Sequence, residues 1–501
     1  MNVLKNFKKL IVLPILFLTL VISTRAQQVN GLIYADTAGV MVVKIWGTHQ
    51  ERGYALGYLT GDRITDVIVN YIKPSFGPYY TMARNTVLQG NDLAIPPEMD
   101  TEAQAIIDGM NAAGANTGNL DKTDVLVGNT YLDISNLMML TLGMNCAALM
   151  SWNDATAGTD LNGAAIVTRH LDWEISPVLN RNHAVIVHFP SEPGESKWII
   201  TGFSCLMGAL SGITPDFAVF QNMMDDNSAA ALHNQHYQPI WFTLRKAVES
   251  TDYNNDGHRD VLDVRAALLD CTNGFSDGFI ISALAKSNPV DSLVAMVAEI
   301  TPLAPTQTFR SNSYPDSIPG DNLYTANYQI ARNNQMHFCP RYNGIRSHIG
   351  NGTMIGRDTS WNLMRDWSHF SHNLQMMQFA PEADLFRISV YRDGLPAYMN
   401  EPVAFTLTEL FNEPVTGTGS MTGEPKAICR YDRSLNGIEI RHSEPIRKVG
   451  VFDFTGRLIY SSVFEDATRV VIPVANIRTG IYMVRVASNS VECVFKVMLD
   501  H

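Results

Sequence analysis

The residues in this chain best suited to covalent chemistry are Cys146 and the pair Arg169 and Asp172. Cys146 closes the stretch Gly143-Met-Asn-Cys146, which follows a Met/Leu-rich run of helical character. Arg169 lies 23 residues downstream in Ile166-Val-Thr-Arg169-His-Leu-Asp172-Trp173, an apolar strand ending in Arg-x-x-Asp. A thiol is a weak nucleophile until it loses its proton, near ~8.5 for a free cysteine. A free α-amine titrates near ~7.7–8.0. If the chain cuts itself before Cys146, the new amine on that residue can take the thiol proton near neutral pH. Arg169 would then lower the thiol pKa by its charge, while Asp172 would hold the amine and orient Arg169. Spacing alone also fits a buried structural cysteine beside a surface ion pair.

Cys146 with the downstream Thr168-Arg-His-Leu-Asp-Trp173 resembles the cysteine Ntn-hydrolases of the penicillin acyl-transferase-like autoproteolytic family. His170 stands where that family usually has Asn. The opening His49-x-Glu-Arg-Gly53-x-x-x-Gly57-x-x-x-Gly61 is similar too, and the resemblance covers residues 40–412. It implies an α+β fold, an αββα sandwich with the cysteine at the start of a central strand. It also implies self-cleavage before Cys146, a small amide or acyl substrate, and no organic cofactor. An acyl-transfer site needs donors for the oxyanion. The family often has Gly-x-Asn at the stretch matching Gly212-Ile213-Thr214. Thr214 replaces the Asn, which leaves Asn222 as the nearby amide. Ala331-Arg-Asn-Asn334-Gln-Met-His337 resembles the family's Asn-His strand, with Asn334 as the match. Arg341-Tyr-Asn-Gly-Ile-Arg346-Ser-His-Ile349 resembles its later Arg-containing helix start, with Arg346 taken as the match. His49 reads as a cap or core histidine and is left out of the site.

A second motif is Asp252-Tyr-Asn254-Asn-Asp256-Gly257-His258-Arg-Asp260-Val-Leu-Asp263. Oxygen ligands fall at loop positions 1, 3, 5, 9 and 12, with Gly at 6 and a backbone carbonyl at 7 (His258). That is the pattern of a Ca²⁺ loop. Position 12 is Asp, as in the dockerin-type loops it resembles. A structural Ca²⁺ is expected over residues 252–263, between helices at 239–248 and 264–271. The alternative is an Asn/Asp-rich turn capping two helices.

The elements that must position these groups are legible in part. Residues 40–46 read as a strand, and 49–61 as a helix whose glycines allow close packing against a sheet. Helices are expected at 99–113 and 124–140. After Cys146 the apolar runs 164–171, 183–189, 197–203 and 217–224, separated by turn residues, suit an antiparallel sheet. Residues 306–323 read as a surface loop, 354–380 as helix and loop over the core, and 385–391 as a strand.

Residues 1–26 read as an export signal: Lys5, Lys8 and Lys9 precede the apolar run Leu10 to Ile22, and Thr24-Arg-Ala26 supplies small residues for cleavage. An uncleaved membrane anchor is the competing reading. With 46% hydrophobic and 17% charged residues the composition is that of a globular protein, and the net charge of −12 argues against nucleic acid or anionic membrane as partner. The six cysteines form no disulfide framework and no zinc pattern.

The large domain is expected over 27–412, a Gly/Thr/Ser/Pro-rich linker over 413–425, and an all-β module over 426–501. Short strands at 438–441, 448–453, 458–460, 470–473 and 480–486 suit a small sandwich. Val451-Phe-Asp-Phe-Thr-Gly-Arg457-Leu, Ile477-Arg-Thr-Gly480-Ile-Tyr-Met-Val-Arg485-Val and Phe495-Lys-Val-Met resemble the C-terminal sorting domain of the type IX secretion system of Bacteroidetes. That resemblance implies the secretion machinery as partner, passage across both membranes, and release or surface attachment. The whole reads as a secreted cysteine hydrolase or acyltransferase acting on a linear amide. A phospholipase B-like ester hydrolase is the second reading. A non-catalytic surface binding protein on a hydrolase scaffold is the third.

Overall fold

The computed structural model describes residues 27–140, 145–223, 231–287, 293–302, 306–314, 318–331 and 339–414, and in the C-terminal part 427–432, 435, 437–453, 458–474, 477–488 and 492–499. The export signal and Asn334 lie outside the described residues. The chain divides into two compact units, 1–413 and 414–501.

The larger unit is built on two sheets. The first runs in spatial order 31–37, 40–47, 183–190, 198–203, 211–213, 217–223, 279–285, 295–300 and 307–310. The second runs 322–325, 145–151, 166–172, 373–380, 385–390 and 403–405. Val40–Gly47 pairs in parallel with His183–Pro190, and the remaining ladders of both sheets are antiparallel. Strand residues alternate between faces with period two, and that alternation sets the layers. Val42, Val185, Ile199 and Phe220 of the first sheet meet Ala148, Met150, Val167 and Met377 of the second. On the outer face of the first sheet, Met41, Val43 and Ile45 pack with Leu56, Ile106, Leu132 and Leu244 of the helical layer. On the outer face of the second, Ala147, Leu149 and Met376 pack with Ile345, Trp361 and Met364. The order is helix, sheet, sheet, helix.

Several sequence expectations are revised. The glycines of His49–Val67 face a helix rather than a sheet: a Cβ on Gly57 would stand 2.0 Å from the Ile106 carbonyl oxygen, in the helix Pro97–Ala112. The helix expected at 124–140 is two, Lys122–Asn129 and Tyr131–Leu137, broken at Thr130, whose φ of −118° is not helical. Residues 306–323 are not all loop, because Gln307–Arg310 is an edge strand and Asn322–Thr325 begins another. The segment 354–380 contains the helix Arg357–Trp367 and then the strand Asn373–Ala380, central in the second sheet. Gln375 and Gln378 hid that strand, since buried glutamines break the apolar pattern. Their amide nitrogens find partners: that of Gln375 donates to the Gly202 carbonyl (2.9 Å) and that of Gln378 to Thr168 Oγ1 (2.8 Å), while both Oε1 atoms stay without one.

The smaller unit is one five-stranded sheet. Its central strand, Gly437–Phe452, runs through Pro445 with the register slipping between Arg441 and Ile446. Proline is tolerated at such an irregularity, which is why the expected strands 438–441 and 448–453 are one; those at 458–460 and 470–473 are likewise one, Leu458–Pro473. Ile438, Ile440, Val449, Val451, Ile472, Val484 and Val486 form its core.

Candidate functional site

Cys146 is the second residue of the strand Asn145–Ser151 and is fully buried. Its neighbour on one side is Ile166–Asp172, with Cys146 opposite Leu171 and Ala148 opposite Arg169. Arg169 is therefore the diagonal neighbour of Cys146, within reach of a long side chain. Its Nη2 donates to Cys146 Sγ at 3.4 Å and to the Gln221 carbonyl of the facing sheet at 3.0 Å. Arg169 is fully buried, and its Nε and Nη1 have no hydrogen-bond partner. Its guanidinium lies 5.7 Å from the centre of the Phe220 ring.

Asp172 does not orient Arg169. Three residues apart on a strand, the two side chains point to opposite faces. Asp172 points to the helical side, where it accepts from Arg341 Nη1 at 2.9 Å and from the Asn373 amide at 2.8 Å. Burial pushes the Asp172 carboxyl up to about 6, against the pull of Arg341, Asn373 and Arg169. The same Arg341 donates through Nη2 to Asn327 Oδ1. Asn327 Oδ1 also accepts from the Cys146 backbone N–H at 3.2 Å. A continuous line of contacts thus runs from the Cys146 nitrogen through Asn327 and Arg341 to Asp172.

Burial raises the thiol pKa of Cys146, the nearby Arg169 and Arg341 charges and a backbone N–H from Asp172 oppose that rise, and Asp172's charge adds to it. The Cys146 nitrogen is a peptide N–H here, donating to Asn327 Oδ1 and carrying no basic lone pair.

The other expected residues sort as follows. Asn222 is fully buried and its amide donates to Thr325 Oγ1 (3.2 Å) and to the Ala326 carbonyl (3.4 Å). It tethers the segment that ends in Asn327, and its Oδ1 has no partner. The Thr214 hydroxyl is committed to the turn before Phe217, whose N–H it accepts at 2.9 Å. Arg346 is exposed on the helix Pro340–His348, and Arg341 in the first turn of that helix is the buried one. Pro340 was the usable signal, because proline marks the first helical position and so placed Arg341 at the helix start. Asn327 was missed as well. Asn322–Thr325 pairs with Ser151–Ala148, so continuing that register brings Asn327 opposite Cys146.

Where the Arg169 strand ends, Trp173 donates through Nε1 to Tyr71 Oη at 2.6 Å and stacks on Tyr131 at 6.1 Å. Tyr71, Tyr131, Leu140 and Trp173 line a cavity of about 480 Å³, with Glu174 at its wall. Asn70, Ser75 and Ser176 share the lining, so the cavity is mixed in polarity.

The loop 252–263 has part of the expected calcium geometry. Gly257 sits at φ +87°, and Asp252 accepts backbone N–H groups from Asp256 and Gly257. Asn254 and Asp256 accept from the backbone of Asp256 and His258. Asp263, however, receives N–H donors on both oxygens, from Tyr253 and Asn254 on one and Asp260 on the other. Asp260 caps the helix Val261–Leu269. Among the described residues, the loop supplies no three carboxylate or imidazole ligand atoms within 4.8 Å of one another.

Residues 434–500 match the secretion system C-terminal sorting domain. The chain carries a type IX export address. It is secreted or attached at the cell surface, and the sorting domain engages the type IX machinery. A curated relative, protein dcd1B of Dictyostelium discoideum, is 23% identical over 242 residues, 45% of this chain and 46% of that protein. The chain thus spans about half the length of that relative. No described helix is long and apolar enough to cross a membrane. Cys146, Cys205, Cys271, Cys339 and Cys429 are free thiols.

Proposed function

We propose that this exported protein is a self-processing cysteine hydrolase or acyltransferase of the N-terminal-nucleophile type, acting on a linear amide. The observation that carries the reading is the double hold on Cys146: its sulfur on Arg169 at 3.4 Å and its nitrogen on Asn327 at 3.2 Å. Cleavage of the Asn145–Cys146 bond converts that nitrogen into a free amine. The amine takes the thiol proton and the thiolate attacks the substrate carbonyl. The C–N bond breaks, the amine leaves with the proton, and a thioester remains on Cys146. Water, or a second amine, then takes the acyl group and restores the thiol. The spare Nε and Nη1 of Arg169 are the donors available for the oxyanion, the Asn222 amide being engaged with Thr325 and Ala326, while Arg341 and Asp172 position Asn327.

The test is turnover of matched N-acyl amide and ester panels by the processed protein, with acyl length varied. Amide turnover with acyl-enzyme trapped on Cys146 supports the reading. Ester-only turnover moves it to a lipid esterase. No turnover and no thiol labelling at Cys146 leaves a binding protein.

A further inference from the structure

Away from Cys146, the charges of His49, Arg52 and Arg245 close on Glu102, Glu195 and Glu249. Glu174 is different. It is exposed, and among the described residues it has no hydrogen-bond or ion-pair partner. The cations on neighbouring elements are engaged elsewhere. Arg181 grips Asp66 through Nε and Nη2 at 2.6 Å each, and Lys73 Nζ lies 3.7 Å from Asp124.

Glu174 stands at the wall of the cavity of about 480 Å³ lined by Tyr71, Tyr131 and Trp173. No lysine, arginine or histidine lines that cavity. Its side-chain N–H groups are drawn off: the Asn70 amide donates to Asp66 at 2.8 Å and the Trp173 indole to Tyr71 Oη at 2.6 Å. Aromatic rings, hydroxyls and one carboxylate remain. An anion would meet like charge there, and a neutral chain gains nothing from the carboxylate. An ammonium group is drawn both to the rings and to the carboxylate. Burial and the charge of Glu174 both raise the hydroxyl pKa of Tyr71 and of Tyr131, so the two rings stay neutral within reach of the carboxylate's field.

We propose that this cavity binds an alkylammonium group carried by the substrate a few bonds from its scissile amide. The placement fits. Trp173 directly follows the strand Ile166–Asp172, and continuing the alternation of that strand puts the indole on the face of Arg169 and Leu171. Cys146 is opposite Leu171. Trp173 is two residues further on, about 7 Å along the strand. Cys146, Leu171, Trp173, Tyr71 and Tyr131 belong to one packed cluster. That the ammonium belongs to a substrate rests on the proposed hydrolase activity, whereas the preference of the cavity for a cation does not.

The test titrates the full chain by calorimetry with choline and with 3,3-dimethylbutanol, its uncharged isostere. Wild type and Cys146→Ala are both expected to bind choline, about tenfold more tightly than the alcohol. Glu174→Gln, at an exposed position, is expected to keep its circular dichroism and to bind choline about fivefold more weakly. Among matched amides, one ending in trimethylammonium should exceed its tert-butyl counterpart about tenfold in kcat/KM, and Glu174→Gln should narrow that gap. No saturable choline binding, equal affinity for choline and the alcohol, or unchanged affinity in Glu174→Gln overturns the proposal. Choline binding without turnover of any amide supports the ammonium site and strikes the hydrolase activity alone.

Discussion

The two buried polar clusters of the larger unit handle arginine in opposite ways. Around Arg245, charge meets charge: both oxygens of Glu102 and both of Glu249 contact guanidinium nitrogens. Around Cys146, the fully buried Arg169 touches no carboxylate, spends its Nη2 on a thiol and a carbonyl, and leaves Nε and Nη1 without partners. An unpaired buried cation costs several kcal/mol. A fold retains such a group where the environment gives it something to do, and an anion forming on the sulfur or on a substrate oxygen is the fitting use. The Arg245 cluster is closed by its own carboxylates, whereas the Arg169 cluster leaves guanidinium donors open, as the proposed chemistry requires.

The largest effect expected from breaking this contrast is on stability. Arg245→Met leaves Glu102 and Glu249 buried without their main partner and should cost about 3–5 kcal/mol in urea unfolding. A loss under about 1 kcal/mol would show that the cluster is not a structural hold. Arg169→Met should do the reverse, lowering turnover about a hundredfold or more with little loss of stability. Equal losses of both would erase the distinction.

Arg341→Met cuts the line between Asp172 and Asn327. Turnover should fall about tenfold to a hundredfold, with Arg346→Met, on the exposed side of the same helix, near wild type. The Asp172 carboxyl, held at about 6 chiefly by burial, should give turnover an acid limb. The ionised form grips Arg341, so activity should rise about tenfold from about pH 5 to pH 7. Stability runs the other way. A carboxyl raised in the folded state contributes most below its unfolded pKa near ~3.9, and loses that contribution as pH rises through about 6. Asp172→Asn should therefore gain on the wild type above that value. The smallest effect concerns the loop 252–263. Saturating Ca²⁺ should raise Tm by about 3 °C and Asp256→Asn should remove the rise. An unchanged Tm means the loop is a helix-capping turn.

Ile166–Asp172 was legible as a strand, but its sheet was not: the other apolar runs expected beside it belong to the first sheet, and Asn322–Thr325, the second neighbour of the Cys146 strand, begins in a stretch that reads as loop. Asn373–Ala380 was not legible as a strand, because its buried glutamines find partners on other strands and on the helix Arg357–Trp367. Cys146 and Arg169 could be read from sequence as a pair. Asn327 could not, and Arg341 had only Pro340 to mark it as a helix start, since what joins them to the site is contact over 181 and 169 residues. Of the two roles expected of Asp172, orienting Arg169 is the one that strand geometry rules out.

The most direct measurement is intact mass of the purified wild-type chain beside Cys146→Ala. Two fragments meeting at the Asn145–Cys146 bond, with Cys146 at the new amino terminus and the variant uncut, are the expected result. A wild-type chain that turns over substrate while remaining intact at that bond would contradict the role given to the Cys146 nitrogen.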